Sequence, residues 1–214
     1  MLPAVTHDSS GFSRSSPAVE AAGQEITSRN LAAGEIVQWL GRPNPRKHFT
    51  ASDRFLIPFS LFWAGFTIFW EATAASGGAG AFFVLWGIPF VLIGFYMTIG
   101  RFIWKARRKK RTVYVVTDRR VMSIVAGRNG DSVEASYLRA LPGISTSTRS
   151  DGTGTVTFGT NSVLAGMYAN SGMEFFARGA QSGNILSFYD LENAREVADL
   201  VEELREKALI SPPN

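Results

Sequence analysis

From Arg101 to Arg111 the chain reads RFIWKARRKKR, and seven of these eleven residues are cationic: Arg101, Lys105, Arg107, Arg108, Lys109, Lys110 and Arg111. At that density guanidinium and ammonium groups hold phosphate, whether of a nucleic acid or of a lipid headgroup, or fix a chain's orientation at a charged surface. No reactive partner accompanies them. The chain has no cysteine and only two histidines, His7 and His48, which excludes disulfides, thiolate chemistry, Cys-based zinc sites and a histidine metal cluster. GxxxxGK[ST], HExxH and GxSxG are missing from the sequence. The Gly-x-Gly of DGTGTVTFG falls in an expected hairpin, not between a strand and a helix, so it fails as a dinucleotide fingerprint. Asp118, Arg119 and Arg120 read as turn and edge residues. No catalytic, cofactor-binding or metal-binding residue is expected.

The placement of the positive charge argues against nucleic acid. Net charge is +4, yet residues 112–214 carry nine basic and twelve acidic side chains. A nucleic-acid-binding domain carries its basic surface on the folded domain itself. Here the excess lies in one short run directly behind an apolar stretch. The seven cations are therefore expected to stop and orient a membrane segment and to touch anionic lipid.

Two apolar runs must position them. Phe55–Trp70 and Ala72–Gly100 contain no charged residue. The twenty residues 81–100 would reach about 30 Å as a helix, the thickness of a bilayer's hydrocarbon core. The expected spans are 55–75 and 81–104, joined by an uncharged external loop at 76–80. A loop that short makes the helices antiparallel neighbours. Basic flanks on both sides then place both termini in the cytoplasm, with the chain a multi-pass protein of the cell (inner) membrane. Gly80, Gly87 and Gly94 recur every seven residues and predict a helix-packing stripe. Phe55, Phe59, Phe62, Phe66 and Phe69 could supply knobs for that groove; the stripe could equally join two copies. Pro89 should kink the second helix. Glu71, alone among ionisable residues in the apolar zone, lies near the outer loop, within reach of water.

The remaining segments fall into place around the hairpin. Residues 1–30 are rich in Ser, Ala and Gly without periodicity and read as a disordered tail. Residues 31–54 form a cytoplasmic lead-in, with a short strand at EIVQWLG that could join a later sheet. After the basic juxtamembrane segment 105–111, residues 112–209 alternate as strands. TVYVVTDRRVMSIVAG reads as a hairpin, GISTSTRSDGTGTVTFG as another around Asp151-Gly152, and NILSFYD as a further strand. From Leu191 the apolar spacing changes to three and four, which predicts a closing helix with Asp190 as its N-cap. Residues 210–214 are a tail. The connection 160–183, with Met167, Tyr168, Met173, Phe175 and Phe176, is either an exposed apolar edge or an irregular strand that fills the core.

The segment YVVTDRRV, with Tyr114, Thr117 and Arg120, resembles the Tyr-x-Val-Thr-x-x-Arg pattern of the bacterial pleckstrin-homology-like family of small membrane proteins. GEIVQWLGRPNP before the hairpin, GTGTVTFG and DLENAREV are similar to that family's other segments, over roughly residues 33–207. The resemblance implies an α+β domain beside a membrane α-helical hairpin: a curved, seven-stranded antiparallel sheet or partly open barrel capped by a C-terminal helix. The expected role is a non-enzymatic, membrane-anchored binding or scaffold module whose partners are the lipid bilayer and either another protein or a second copy. An accessory subunit of a transport or envelope-maintenance complex is the alternative.

Overall fold

The computed structural model describes residues 17–45, 47, 49–50, 52–78, 80–159, 170–173 and 186–210. The chain divides into two compact units. One comprises Met1–Asn44, Lys109–Thr160 and Asn184–Asn214; the other comprises Pro45–Arg108 and Asn161–Gly183.

The first unit holds two antiparallel sheets. β1 (Val37–Gly41), β2 (Thr112–Thr117), β3 (Arg120–Val125) and β4 (Ser132–Tyr137) pair in that order, and β5 (Ile144–Thr148), β6 (Gly154–Phe158) and β7 (Leu186–Leu191) form the second sheet. All seven strands are thus antiparallel, but they form sheets of four and three instead of one continuous sheet. The lead-in strand joins as expected: Leu40 lies opposite Val115 and Gly41 opposite Tyr114. Both expected hairpins are present, and Gly152 takes φ +80° in the second turn. β4 is an element with no counterpart in the sequence reading. Its SVEASY is polar and largely exposed, so it carries little of the apolar signal that reveals a strand.

Every residue of β2 is buried, because its sheet is covered on both faces. Side chains alternate across a strand. Tyr114, Val116 and Val121 enter a core with Val156, Phe158, Phe188 and the helix α5 (Ala194–Ile210). Val113, Val115, Met122 and Ile124 point the other way, where Ile26, Leu31, Val37 and Leu40 pack on them. Ile26 belongs to α1 (Pro17–Ser28), which corrects the expectation of a disordered tail over 1–30; residues 1–16 lie outside the described residues. The alanines of α1 favour a helix, and its few apolar side chains gain stability only once the sheet is there to receive them.

Asp190 is not an N-cap. It lies inside β7, fully buried, with φ +54°. The closing helix starts later, where the Asn193 carbonyl accepts the Val197 N–H at 3.2 Å.

The second unit is built on helices. α2 (Asp53–Ser76) and α3 (Ala81–Phe95) pack side by side, and α3 passes through a wider π-helical turn, Tyr96–Gly100, into α4 (Arg101–Arg111). The helices run past the expected ends at both flanks, so the basic segment 105–111 is itself helical. α2, and the continuous helical stretch Ala81–Arg111, are both long and apolar enough to cross a membrane.

Small residues make the contact between α2 and α3. Ser60 and Thr67 are buried on one side, Gly87 and Gly94 on the other. A Cβ at Gly94 would stand 3.1 Å from the Ala64 Cα, and one at Gly87 would overlap the Glu71 carboxylate. Gly80 stands apart from this contact: it precedes the first turn of α3, and a Cβ there would meet nothing within 4 Å. The expected phenylalanine knobs are also elsewhere. Phe62 and Phe69 are 72% and 70% exposed on the outer surface of α2, and Phe55 and Phe66 are exposed with them. Small side chains let the backbones approach closely, and of the rings of α2 it is Trp63 that reaches across, its indole N–H donating to the Phe90 carbonyl at 3.3 Å.

Candidate functional site

The seven cations of the basic run separate by helical geometry. Arg101, Lys105 and Lys109 recur every four residues on one face of α4 and are buried. Arg107, Lys110 and Arg111 are exposed, and Arg108 is half-buried with its guanidinium 5.3 Å from the Trp104 ring centroid. The run therefore divides by face: Arg101, Lys105 and Lys109 are buried in the protein, which removes them from the seven residues expected to touch lipid.

In the second unit Arg101 organises the start of α4. It pairs with Asp53, its Nε donates to the Met97 carbonyl at 2.7 Å, and its guanidinium lies 4.2 Å from the Phe102 ring centroid. Asp53 is held in turn, since Oδ2 accepts the Thr50 N–H at 2.5 Å and the Thr50 hydroxyl at 2.9 Å. A buried charge needs such a partner, because leaving it unpaired costs several kcal/mol. The turn at 170–173 is seated against this pair. The Tyr96 hydroxyl donates to the Gly172 carbonyl at 2.7 Å, and Met173 is buried with Leu56 and Met97. The rest of the 160–183 connection, including Met167, Tyr168, Phe175 and Phe176, lies outside the described residues. Toward the other end of α2, Glu71 Oε2 is buried over Gly87 without a hydrogen-bond partner. An open groove lined by Phe49, Ile57, Ser60, Leu61, Thr98 and Phe102 bears no ionisable side chain.

In the first unit two buried carboxylates tie distant segments together. Glu35 accepts four hydrogen bonds: from the Ala32 N–H at 2.8 Å, the Thr117 hydroxyl at 2.7 Å, and Arg120 Nε and Nη2, each at 2.9 Å. Burial pushes the Glu35 carboxyl up. The bonds from Arg120, Ala32 and Thr117 and the charge of Arg120 outweigh it and hold the group down at about 2. The same carboxylate raises the Arg120 guanidinium above its ordinary value. Thr117 and Arg120, two positions of the Tyr-x-Val-Thr-x-x-Arg pattern, thus clamp the lead-in to the sheet. The third, Tyr114, stacks on Phe188 at 4.5 Å between ring centroids, and its hydroxyl accepts the Tyr189 N–H at 3.0 Å. Arg120 is therefore more than the turn and edge residue expected of it.

Asp190 is the second carboxylate. Lys109 Nζ reaches Oδ2 at 2.6 Å, Arg149 Nη1 reaches Oδ1 at 3.1 Å, and the Asp190 carbonyl accepts the Asn44 N–H at 2.9 Å. Glu35, Asp53 and Asp190 were invisible as a set in the sequence. Each lies far along the chain from its partner, and the only trace is that each is an acid within or beside an apolar run.

Among the described residues no three His, Asp or Glu side chains converge to hold a metal. The chain matches no protein-family model, no curated protein and no solved structure.

Proposed function

We propose that this protein is a membrane-anchored binding module: a helical hairpin in the lipid, and a pleckstrin-homology-like α+β domain held at the cytoplasmic face, where it recruits a partner without catalysing a reaction. The observation that carries the reading is the outer surface of the two long helices. Phe62, Phe69, Phe82, Leu85 and Trp86 are each about two-thirds exposed, a density of uncovered apolar side chains that water does not tolerate and lipid does.

The pairing of β1 with β2 supports the topology. The hairpin lies between these strands in sequence, and neighbouring strands can pair only if the chain leaves and returns on the same side of the bilayer. An even number of crossings follows, and the basic flanks place that side in the cytoplasm. Arg107, Lys110 and Arg111 are then free to meet anionic headgroups, at about 1 kcal/mol each.

Two measurements test this. The chain should stay in the membrane pellet through an alkaline carbonate wash, and tags at both termini should be protected from protease in sealed right-side-out vesicles. Release of the intact chain into the supernatant would refute the anchor; opposite protection of the two tags would refute the topology.

The exposed Phe55, Phe62, Phe66 and Phe69 face of α2 favours a second reading, as an accessory subunit of a larger membrane complex, because the hairpin contact leaves this face free for another helix. Photocrosslinkers at 62 and 69 that capture only lipid would remove it.

A further inference from the structure

The groove of the second unit forms where two short side chains meet. Ser60 of α2 and Thr98 of the π-helical turn leave a space of about 290 Å³, walled by Ile57, Leu61, Phe49 and Phe102. Phe49 and Phe102 meet edge to face, with ring centroids 5.7 Å apart, and make one wall together. Neither hydroxyl proton is available to an occupant. Ser60 donates to the Ile57 carbonyl at 2.9 Å, and Thr98 donates to the Gly94 carbonyl at 2.8 Å. A polar ligand would find no donor side chain here, and an ordered water needs two to four polar partners. The lining suits hydrocarbon.

Size separates the hydrocarbon occupants. One turn of a helix about 10 Å across and about 5.4 Å in pitch encloses roughly 420 Å³. That exceeds the groove, so a helix of a second copy cannot lie in it, whereas a single acyl chain can. The groove is continuous with the uncovered apolar surface of α2: Leu61 in its wall is 57% exposed, and the next residue, Phe62, 72%. Arg54 precedes Ile57 by three residues and Leu61 by seven, which puts it on the same face at the start of α2. It is exposed and, among the described residues, pairs with no acid. An apolar channel with an unneutralised cation on the same helical face matches a hydrocarbon chain with an anionic head. We propose that the groove seats one acyl chain of an anionic phospholipid of the cytoplasmic leaflet, with Arg54 facing its headgroup. The proposal rests on the membrane reading for the supply of lipid, and adds to it one seated lipid with a defined place and charge preference.

The test uses the full chain in detergent and phosphatidylglycerol with a photoactivatable diazirine in one acyl chain. Native mass spectrometry counts the bound lipid, and peptide mapping places the adducts; phosphatidylcholine with the same chain is the second arm. The wild type should retain one phosphatidylglycerol, with adducts concentrated on Ile57, Leu61 and Phe102. Ile57→Trp, which fills the groove, should weaken both lipids about tenfold, as the loss of roughly two buried methylenes does. Arg54→Gln should weaken phosphatidylglycerol about fivefold, the scale of one cation at an anionic surface, and phosphatidylcholine less. Phe62→Trp, on the outer face, should bind both as the wild type does. Adducts spread evenly over Ile57, Phe62 and Phe69 would mean exchanging lipid only and would overturn the site; that readout needs no variant to fold. Equal retention by the wild type and Ile57→Trp would overturn it as well. So would a dimer whose groove residues take up no label, which would give the groove to a second copy. Should the chain stay in the carbonate pellet while adducts spread evenly, the site fails alone. Should carbonate free the chain while one lipid still labels the groove, the anchor fails and the site stands.

Discussion

At neutral pH the Glu35 carboxylate is fully bonded inside the protein, and its stability contribution has a calculable pH dependence. The folded group titrates at about 2, against an ordinary 4.5 for the unfolded chain. Between those values the unfolded chain binds the proton and the folded one does not, so stability is present above the upper value and is lost as pH falls toward the lower. The loss amounts to up to about 3 kcal/mol for a shift of this size. Glu35→Gln should cost a similar amount, about 3 kcal/mol at pH 7, by leaving Arg120 without its carboxylate. It should also flatten the acid limb. Denaturant melts of the detergent-solubilised chain at several pH values check both, and parallel acid limbs in the two proteins would contradict the assignment. The glycines of α3 give a second contrast at this scale. Gly94→Leu forces a side chain into the Ala64 backbone and should destabilise the hairpin by about 1–3 kcal/mol, the usual cost of overpacking. Gly80→Ala, in open space, should be silent in the same melt.

Among the elements, α1 and β7 carry the clearest consequences. Deleting residues 1–30 removes Ile26 and the rest of α1 from the outer face of the sheet and partly uncovers Val113, Val115, Met122 and Ile124, on which Leu31, Val37 and Leu40 remain. The shortened chain should bind a hydrophobic dye and melt lower, whereas removal of a disordered tail would change neither. Asp190→Asn should cost about 3–5 kcal/mol by taking the carboxylate from the buried Lys109; a melt within 1 kcal/mol of wild type, a bound set by the usual effect of surface substitutions, would mean that Lys109 relaxes into water. These elements also mark how far the sequence could be read. The helical hairpin, β1, the two later hairpins and the closing helix announce themselves through apolar periodicity and turn residues, which are local. α1 and β4 do not, because their stability comes from the sheet they meet. The ion pairs escape for the same reason: nothing within a few residues of Asp53 points to Arg101, or of Glu35 to Arg120. In the basic run the composition was legible but its division was not, since which cations turn inward depends on acids brought in from elsewhere.

At the scale of the whole molecule, the β1–β2 pairing has a consequence for how the protein is made. Residues 17–41 leave the ribosome well before β2 exists, so β1 and α1 wait, unpartnered, until Thr112–Thr117 has emerged; on the membrane reading proposed above, the hairpin must also be threaded in that interval. A chain that crossed the bilayer once, or stalled midway, would leave β1 and β2 in different compartments with the sheet unfinished. Under that reading completion of the sheet would report correct insertion, and a failed nascent chain would present an open strand edge for proteases to recognise.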